Sequence, residues 1–436
     1  MEERREKLFA RFTKKWWRVA LVAAVLVVAL PLGPVFFSVV FGHDLSADPF
    51  KGIELESDAK EPPVEGNAYV AFCSMTGEIM RAVIKGSPLG HDALVATNAA
   101  LIARFRALLS KPAWYDTDVR AVILGVESGR RWCDIIDSGA SMLELGSWQA
   151  NRQVERGEIA AAFEWLRDFA RMWRLLREDA SSGMYETLTG RCLPWACDLA
   201  GMIARAEAAS DEDVANVLAV LLEMDDGERR RTWLRRMVAN EYRYGAVPVV
   251  RELQGGFFRV GGVAEGLRDV CSQVLPMIER DYNYAEWERL EAEIAAKNSP
   301  LGLSSWFIED DSYMDIDQGF LATVSRLVEE SAWWDWLLRS TETIVAVELF
   351  RRRNGKRPTA LAELVPDILP SVPVDPYRPG TPVNYDPERG FVYTVGKYRD
   401  FTGENVPAGG IFNIEDFDGH AQPLLRASRV QEPSSP

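Results

Sequence analysis

Residues 154–178, VERGEIAAAFEWLRDFARMWRLLRE, decide the fold class. Ile159, Phe163, Leu166, Phe169, Trp173 and Leu176 recur at spacings of three and four, laying one apolar stripe along an otherwise charged helix. Similar stripes run through 92–109, 119–136, 213–224, 228–243, 264–296 and 319–353, with Gly and Pro clusters at 86–90, 245–248 and 254–262 between them. Ser210-Asp211-Glu212-Asp213 reads as a helix start, because a serine cap and an acidic first turn both suit the helix N-terminus. Segments 164–178 and 232–243 share a Trp-Leu-Arg step, echoed by Trp336-Leu337-Leu338-Arg339, but with no fixed period. The spacing predicts helical hairpins stacked into an array or bundle over 67–332, with the Trp and Met positions of the stripes in its core.

The character of the chain changes after this region. The helix through Thr341–Phe350 runs into Arg351-Arg352-Arg353-Asn354-Gly355, a basic last turn followed by a turn residue. Residues 356–377, KRPTALAELVPDILPSVPVDPY, predict a short helix bracketed by prolines. In 381–396, TPVNYDPERGFVYTVG, two apolar-aromatic runs flank Asp386-Pro387-Glu388-Arg389-Gly390, which signals a β-hairpin. The fold class expected overall is mainly α, with a small α+β C-terminal domain at 333–420 and a disordered tail at 421–436.

The order of these pieces resembles the C-terminal half of type II secretion major pseudopilins. The resemblance covers about residues 335–420 and rests on Pro358, Leu361, Leu364, Pro373, Asp375, Pro376, Tyr377, Gly380, Pro382, Tyr385, Tyr393, Thr394, Gly396 and Asp400. It implies a shared tail fold and a calcium-binding acidic loop, here DFTGENVPAGGIFNIEDFDG, with Asp400, Glu404, Asp416 and Asp418 as the ligand set beside Glu415. A solvated acidic surface is the alternative for that loop, since its spacing follows no fixed calcium template. The chain departs from the family in having no Glu in the apolar stretch after Gly33, and about 290 residues separate that stretch from the tail.

Working back to the N-terminus, residues 19–42, VALVAAVLVVALPLGPVFFSVVFG, hold no charged side chain. At about 1.5 Å per residue such a run spans a hydrocarbon layer of about 30 Å. The preceding segment, 1–18, carries seven Lys or Arg, three Glu, and Trp16-Trp17 at the position of an interfacial belt. Positive charge stays on the cytoplasmic side, so the N-terminus is expected inside and everything after Gly42 outside the inner membrane. The run is long for a signal peptide and its exit, Ser38–His43, offers no small-x-small cleavage site, so a retained anchor is expected. Residues 43–66 are polar, contain Pro and Gly, and read as a linker.

Removing the basic and acidic residues of 1–18 from the chain's 50 Lys+Arg and 65 Asp+Glu leaves a net charge of −19. An exported domain this acidic repels phosphate backbones, which excludes nucleic acid as a partner. Five cysteines cannot all pair within one chain. Cys192 and Cys197 flank Pro194, leaving open either a disulfide or two buried free thiols.

Catalytic and nucleotide motifs (H-E-x-x-H, C-x-x-C, G-x-S-x-G, the phosphate-binding loop) are missing from the sequence, which has only His43, His91 and His420. The Gly-rich stretch 255–262 lacks the Lys-Ser/Thr of a phosphate loop, and the acidic run 309–317 lacks the spacing of an EF-hand. The expected function is therefore a single-pass membrane-anchored envelope scaffold or interaction module, more a binder of protein partners than an enzyme. A tethered hydrolase using a carboxylate pair in a helical cleft is the first alternative, and an accessory component of a type II secretion or pilus-like assembly the second.

Overall fold

The computed structural model describes residues 64–86, 91–112, 130–179, 186–225, 227–246, 270–277, 284–298, 316–378, 380–388, 390–393 and 425–426. The apolar segment 19–42, the Gly-rich stretch 255–262 and the acidic loop 400–419 lie outside the described residues. Among the described residues no helix is long and apolar enough to cross a membrane. The described residues are mainly helical, with a small antiparallel sheet near the C-terminus. In chain order the helices are α1 (Ala68–Cys73), α2 (Thr76–Gly86), α3 (His91–Thr97), α4 (Ala99–Leu109), α5 (Arg130–Glu155) and α6 (Ile159–Asp179). They continue as α7 (Glu186–Arg205), α8 (Asp211–Met224), α9 (Gly227–Asn240), α10 (270–277), α11 (Tyr284–Asn298) and α12 (Ile316–Asn354).

Segment 154–178 is two pieces, α5 ending and α6 beginning, because the chain turns at Gly157. That glycine has φ +75, and its N–H donates to the Val154 carbonyl at 3.0 Å while Glu158 donates to Gln153 at 2.8 Å. These paired bonds close a helix C-terminus in the manner that favours glycine at the left-handed position. Past the turn, Ile159, Leu166, Phe169, Trp173 and Leu176 are buried as the stripe predicts, but so are Trp165, Met172 and Leu175, whereas Phe163 is only half-buried. The buried face exceeds one stripe because α6 packs against α4, α5, α7, α8 and α9 together. The stripe 92–109 is likewise divided, at Asn98, whose amide side chain turns back onto the Leu94 carbonyl at 2.8 Å.

Two local features hold this helical body together. On α5, Gly146 sits so close to Trp165 of α6 that a Cβ there would lie 2.5 Å from the indole ring. At the far end of α6, the Arg177 guanidinium lies 4.6 Å from the Trp173 ring, 5.1 Å from Trp233 and 5.6 Å from Trp334. Trp173 and Trp233 each pack on Trp334, at 5.4 and 5.2 Å between centroids, so α6, α9 and α12 meet in one aromatic box around a cation.

The capping and thiol expectations can be compared directly. Ser210 caps α8: its hydroxyl accepts from the Asp213 N–H at 3.1 Å, and the Asp213 carboxylate accepts from the Ser210 N–H at 2.8 Å. Helix α7 continues through Pro194, and Cys192 and Cys197 within it are buried free thiols, so the disulfide alternative is not formed. Cys192 donates to the Phe169 carbonyl at 3.3 Å.

The tail begins where α12 ends. Gly355, at φ +71, donates to the Arg351 carbonyl at 2.8 Å and stops the helix. A 3-10 turn follows at Leu361–Leu364, its start fixed by Glu363, whose carboxylate accepts from the Thr359 N–H at 2.7 Å and the Ala360 N–H at 3.1 Å. The predicted hairpin forms between β1 (Asn384–Asp386) and β2 (Phe391–Tyr393), with Asn384 opposite Tyr393 and Asp386 opposite Phe391. Gly390, at φ +67, closes the turn onto the Asp386 carbonyl at 2.7 Å. Within 421–436, read from sequence as disordered, Leu425–Arg426 form a short β3 that pairs with β2. The sheet packs on α12, and α12 itself runs unbroken across residue 333, where the tail domain was expected to start.

Trp173→Ala is expected to cost about 3–5 kcal/mol in chemical denaturation, because it removes a buried indole from the box around Arg177. Gly146→Ala is expected to destabilise by about 1–3 kcal/mol despite the better helix propensity of alanine, since the Trp165 ring has no room to retreat. Near-neutral results in the same denaturation experiment would show that neither contact is tight.

Candidate functional site

The polar groups of the described residues converge where α12 meets the tail. Thr341-Glu342-Thr343 interrupts an apolar run, and all three side chains are buried. The threonines satisfy themselves by bonding back along the helix, Thr341 to the Leu337 carbonyl at 2.8 Å and Thr343 to Arg339 at 2.7 Å. Glu342 has no such recourse. It is 2% exposed, and its Oε1 lacks a hydrogen-bond partner. Burial pushes its carboxyl well above the usual carboxylate range, repulsion from Asp225 adds to this, the Arg339 guanidinium opposes it, and Asp335 raises it further. Glu342 thus holds its proton to higher pH than a solvated glutamate does. Behind it on α7, burial pushes the Cys197 thiol up to about 12, with the neighbouring Thr341 hydroxyl opposing the rise and Glu342 and Asp198 adding repulsion.

Arg339, one turn before Glu342, ties three elements together. Its Nε donates to Asp225 Oδ2 at the end of α8 at 3.4 Å, and its Nη1 donates to the Val374 carbonyl at 3.0 Å. Val374 opens the turn that carries Asp375, Pro376 and Tyr377, the residues at the centre of the pseudopilin resemblance. Asp375 is fully buried, and its carboxylate accepts from the Tyr377 N–H at 2.9 Å while its own N–H donates to the Thr381 carbonyl at 2.8 Å. The turn also meets α11: the Tyr284 N–H donates to the Pro376 carbonyl at 3.4 Å, and the Tyr284 and Tyr377 rings lie edge to face at 5.2 Å. Asp375, Pro376 and Tyr377 therefore shape and dock the tail.

Elsewhere Asp168 and Glu348, both buried, hold arginines. Asp168 on α6 takes Arg106 at 2.5 Å and Arg171 at 3.0 Å. Its carboxyl is raised because burial outweighs both arginines. Glu348 holds Arg351 through both oxygens at 2.9 and 2.5 Å, and the neighbouring Arg352 donates to the Ala204, Ala206 and Ala209 carbonyls, capping the end of α7. Asp400, Glu404, Asp416 and Asp418, the calcium set implied by the resemblance, lie outside the described residues, as do Glu415, His43 and His420. Among the described residues no group of three or more His, Cys, Asp and Glu is placed to hold a metal ion. Glu342, Arg339 and Asp225 were missed from sequence, although a lone Glu inside an apolar helical run is a readable signal of a buried, perturbed carboxyl. No family model, curated protein or solved structure matches the chain.

Because Glu342 keeps its proton when folded and loses it in the ordinary carboxylate range when unfolded, its favourable contribution is complete below that range. It is lost as pH rises through the raised folded value. Glu342→Gln is expected to flatten the fall in stability toward alkaline pH, with a gain there of about 1–3 kcal/mol, the cost of a buried unsatisfied polar group. Asp168 and Asp198, also raised by burial, keep their share of the slope. Denaturation midpoints across a pH series read this directly, and parallel curves for the two proteins would mean that Glu342 carries no buried proton.

Proposed function

We propose that the chain is a single-pass, N-in envelope protein whose exported helical body and pseudopilin-like tail act as a non-enzymatic scaffold for protein partners. The observation that carries the topology is the uncharged run 19–42 behind the basic segment 1–18. Support for the scaffold comes from the use of the buried charges: Asp168 links α4 to α6, Glu348 pairs with the Arg352 that closes α7, and Arg339 fastens the tail. A tail built as long helix, 3-10 turn, buried Asp375 turn and hairpin supports the likeness to pseudopilin tails, and an accessory place in a secretion assembly follows as the variant of this reading.

One observation favours the hydrolase instead. A carboxyl that holds its proton above the ordinary carboxylate range is what a general acid requires, and Glu342 lies within electrostatic reach of Asp225 and Asp335. Its near-complete burial favours a structural role over a reactive one. Hydrolysis of a glycoside panel by the purified protein, lost in Glu342→Gln, would establish the enzyme and displace the scaffold.

The topology has its own test. Cysteines introduced at Ser57 and Ser434 are expected to react with an impermeant reagent added to intact spheroplasts, while one at Thr13 reacts only after lysis. Labelling at Thr13 alone would reverse the orientation, and a mature N-terminus near residue 43 would replace the anchor with a cleaved signal.

A further inference from the structure

We propose that the arginine stripe of α6, extended by Arg106 of α4, is a docking surface for a short acidic segment of a partner protein, whose carboxylates are received by Arg106, Arg171 and Arg174. The inference gives the proposed scaffold a surface and a partner chemistry, and it rests on that reading of the chain as a binder of proteins.

The stripe follows from helix geometry. Glu164, Arg167, Arg171 and Arg174 are three or four residues apart on α6 and share one face, on which Arg167 and Arg174 are exposed. From Arg167 to Arg174 the face covers about 10 Å of helix. Arg106 joins it from α4 because it and Arg171 bond the same carboxylate. Arg106 Nε donates to Asp168 Oδ2 at 2.5 Å, and Arg171 Nη1 donates to Oδ1 at 3.0 Å. Asp168 is 2% exposed, and the Arg106 guanidinium also lies 4.8 Å from the centre of the buried Trp165 ring, so two fixed groups hold it.

One carboxylate between two guanidiniums leaves a net positive charge. Each arginine uses one donor nitrogen on Asp168, and the other guanidinium nitrogens of both stay open to solvent, the side chains being 33% and 39% exposed. Guanidiniums held in place lose little freedom on taking a second carboxylate, with which they form charge-assisted, forked bonds. Among the described residues no acid pairs with Arg174, and Arg167 meets Glu164 at 3.1 Å with both side chains about half exposed. A surface pair of that kind contributes little and exchanges readily for another acid. The chain as a whole carries a net charge of −15, so a long polyanion or an anionic membrane would run off the stripe onto acidic surface, whereas a segment of a few residues does not. In an extended segment with acids at alternate residues, carboxylates recur about every 7 Å along one side, which sets two of them along the stripe.

Fluorescence anisotropy of a labelled octapeptide of alternating Glu and Ser, titrated with the full chain, tests this, with the same peptide carrying Gln for Glu as the control. Wild type is expected to bind the acidic peptide and not the control, with an affinity that falls as salt is raised. Arg174→Glu, a change at an exposed side chain, is expected to weaken binding by about tenfold, and Arg106→Gln combined with Arg171→Gln by about tenfold or more. Arg104→Gln, on the same helix as Arg106 but paired with Glu78 at 2.6 Å, is expected to leave the affinity unchanged. No binding by wild type, equal binding of the Gln peptide, or undiminished binding in Arg174→Glu would each overturn the surface. Displacement of the peptide by an equal concentration of inorganic phosphate would also overturn it, making the stripe a phosphate site. Should the double variant fail to fold, Arg174→Glu still decides the matter. Each of these failures leaves the scaffold reading standing, because that reading is overturned by hydrolytic activity lost in Glu342→Gln and not by the behaviour of this peptide.

Discussion

From Ser331 to Leu349 the last long helix is buried on almost every side, and the rest of the molecule is arranged to make that possible. A helix so enclosed has no solvated face on which to place polar residues, yet this one carries Ser331, Asp335, Ser340, Thr341, Glu342, Thr343 and Glu348. Each is costly unless satisfied. The threonines turn back onto their own helix, Glu348 takes two arginines from the following turn, and Glu342 keeps a proton. Around these groups Trp334 and Trp336 supply the apolar area that offsets the cost, and Trp334 belongs to the aromatic box that joins α6 and α9 to α12. Helical body and tail share this helix, and its burial makes them a single packed unit.

Local patterns were readable in proportion to how locally they are caused. The Ser210 cap, the Gly355 stop and the Asp386–Gly390 hairpin turn depend on a few adjacent residues and stand where the sequence puts them. The stripe on 159–176 identified most of the buried residues of α6 but missed Trp165 and Met172, because a single stripe assumes one packing partner and α6 meets helices on several sides while keeping Arg167 and Arg174 exposed. Gly157 and Asn98 broke runs that periodicity alone joined, since apolar spacing can persist across a helix break without revealing it. Glu342 and Arg339 illustrate the remaining difficulty. Their roles come from Asp225, more than a hundred residues earlier, and from Val374 in the tail, and no local spacing encodes that meeting.

Asp375, Pro376 and Tyr377 acquire a physical meaning from the same geometry. Asp375 is buried because its carboxylate replaces a solvent contact for the Tyr377 N–H, Pro376 supplies a carbonyl to α11, and Tyr377 supplies a ring. A sequence pattern of this kind therefore marks a docking turn as much as a hairpin entry. The site's chemistry is that of attachment: one guanidinium, one protonated carboxyl and one backbone carbonyl at the junction of three helices and a turn.

The central claim is that α12 makes body and tail one cooperative unit. Scanning calorimetry of the full chain in mildly acidic buffer, where Glu342 keeps its proton, tests it most directly. The account predicts a single transition for the described region, with calorimetric and van't Hoff enthalpies in agreement. Two separated transitions, the smaller belonging to the tail, would contradict it.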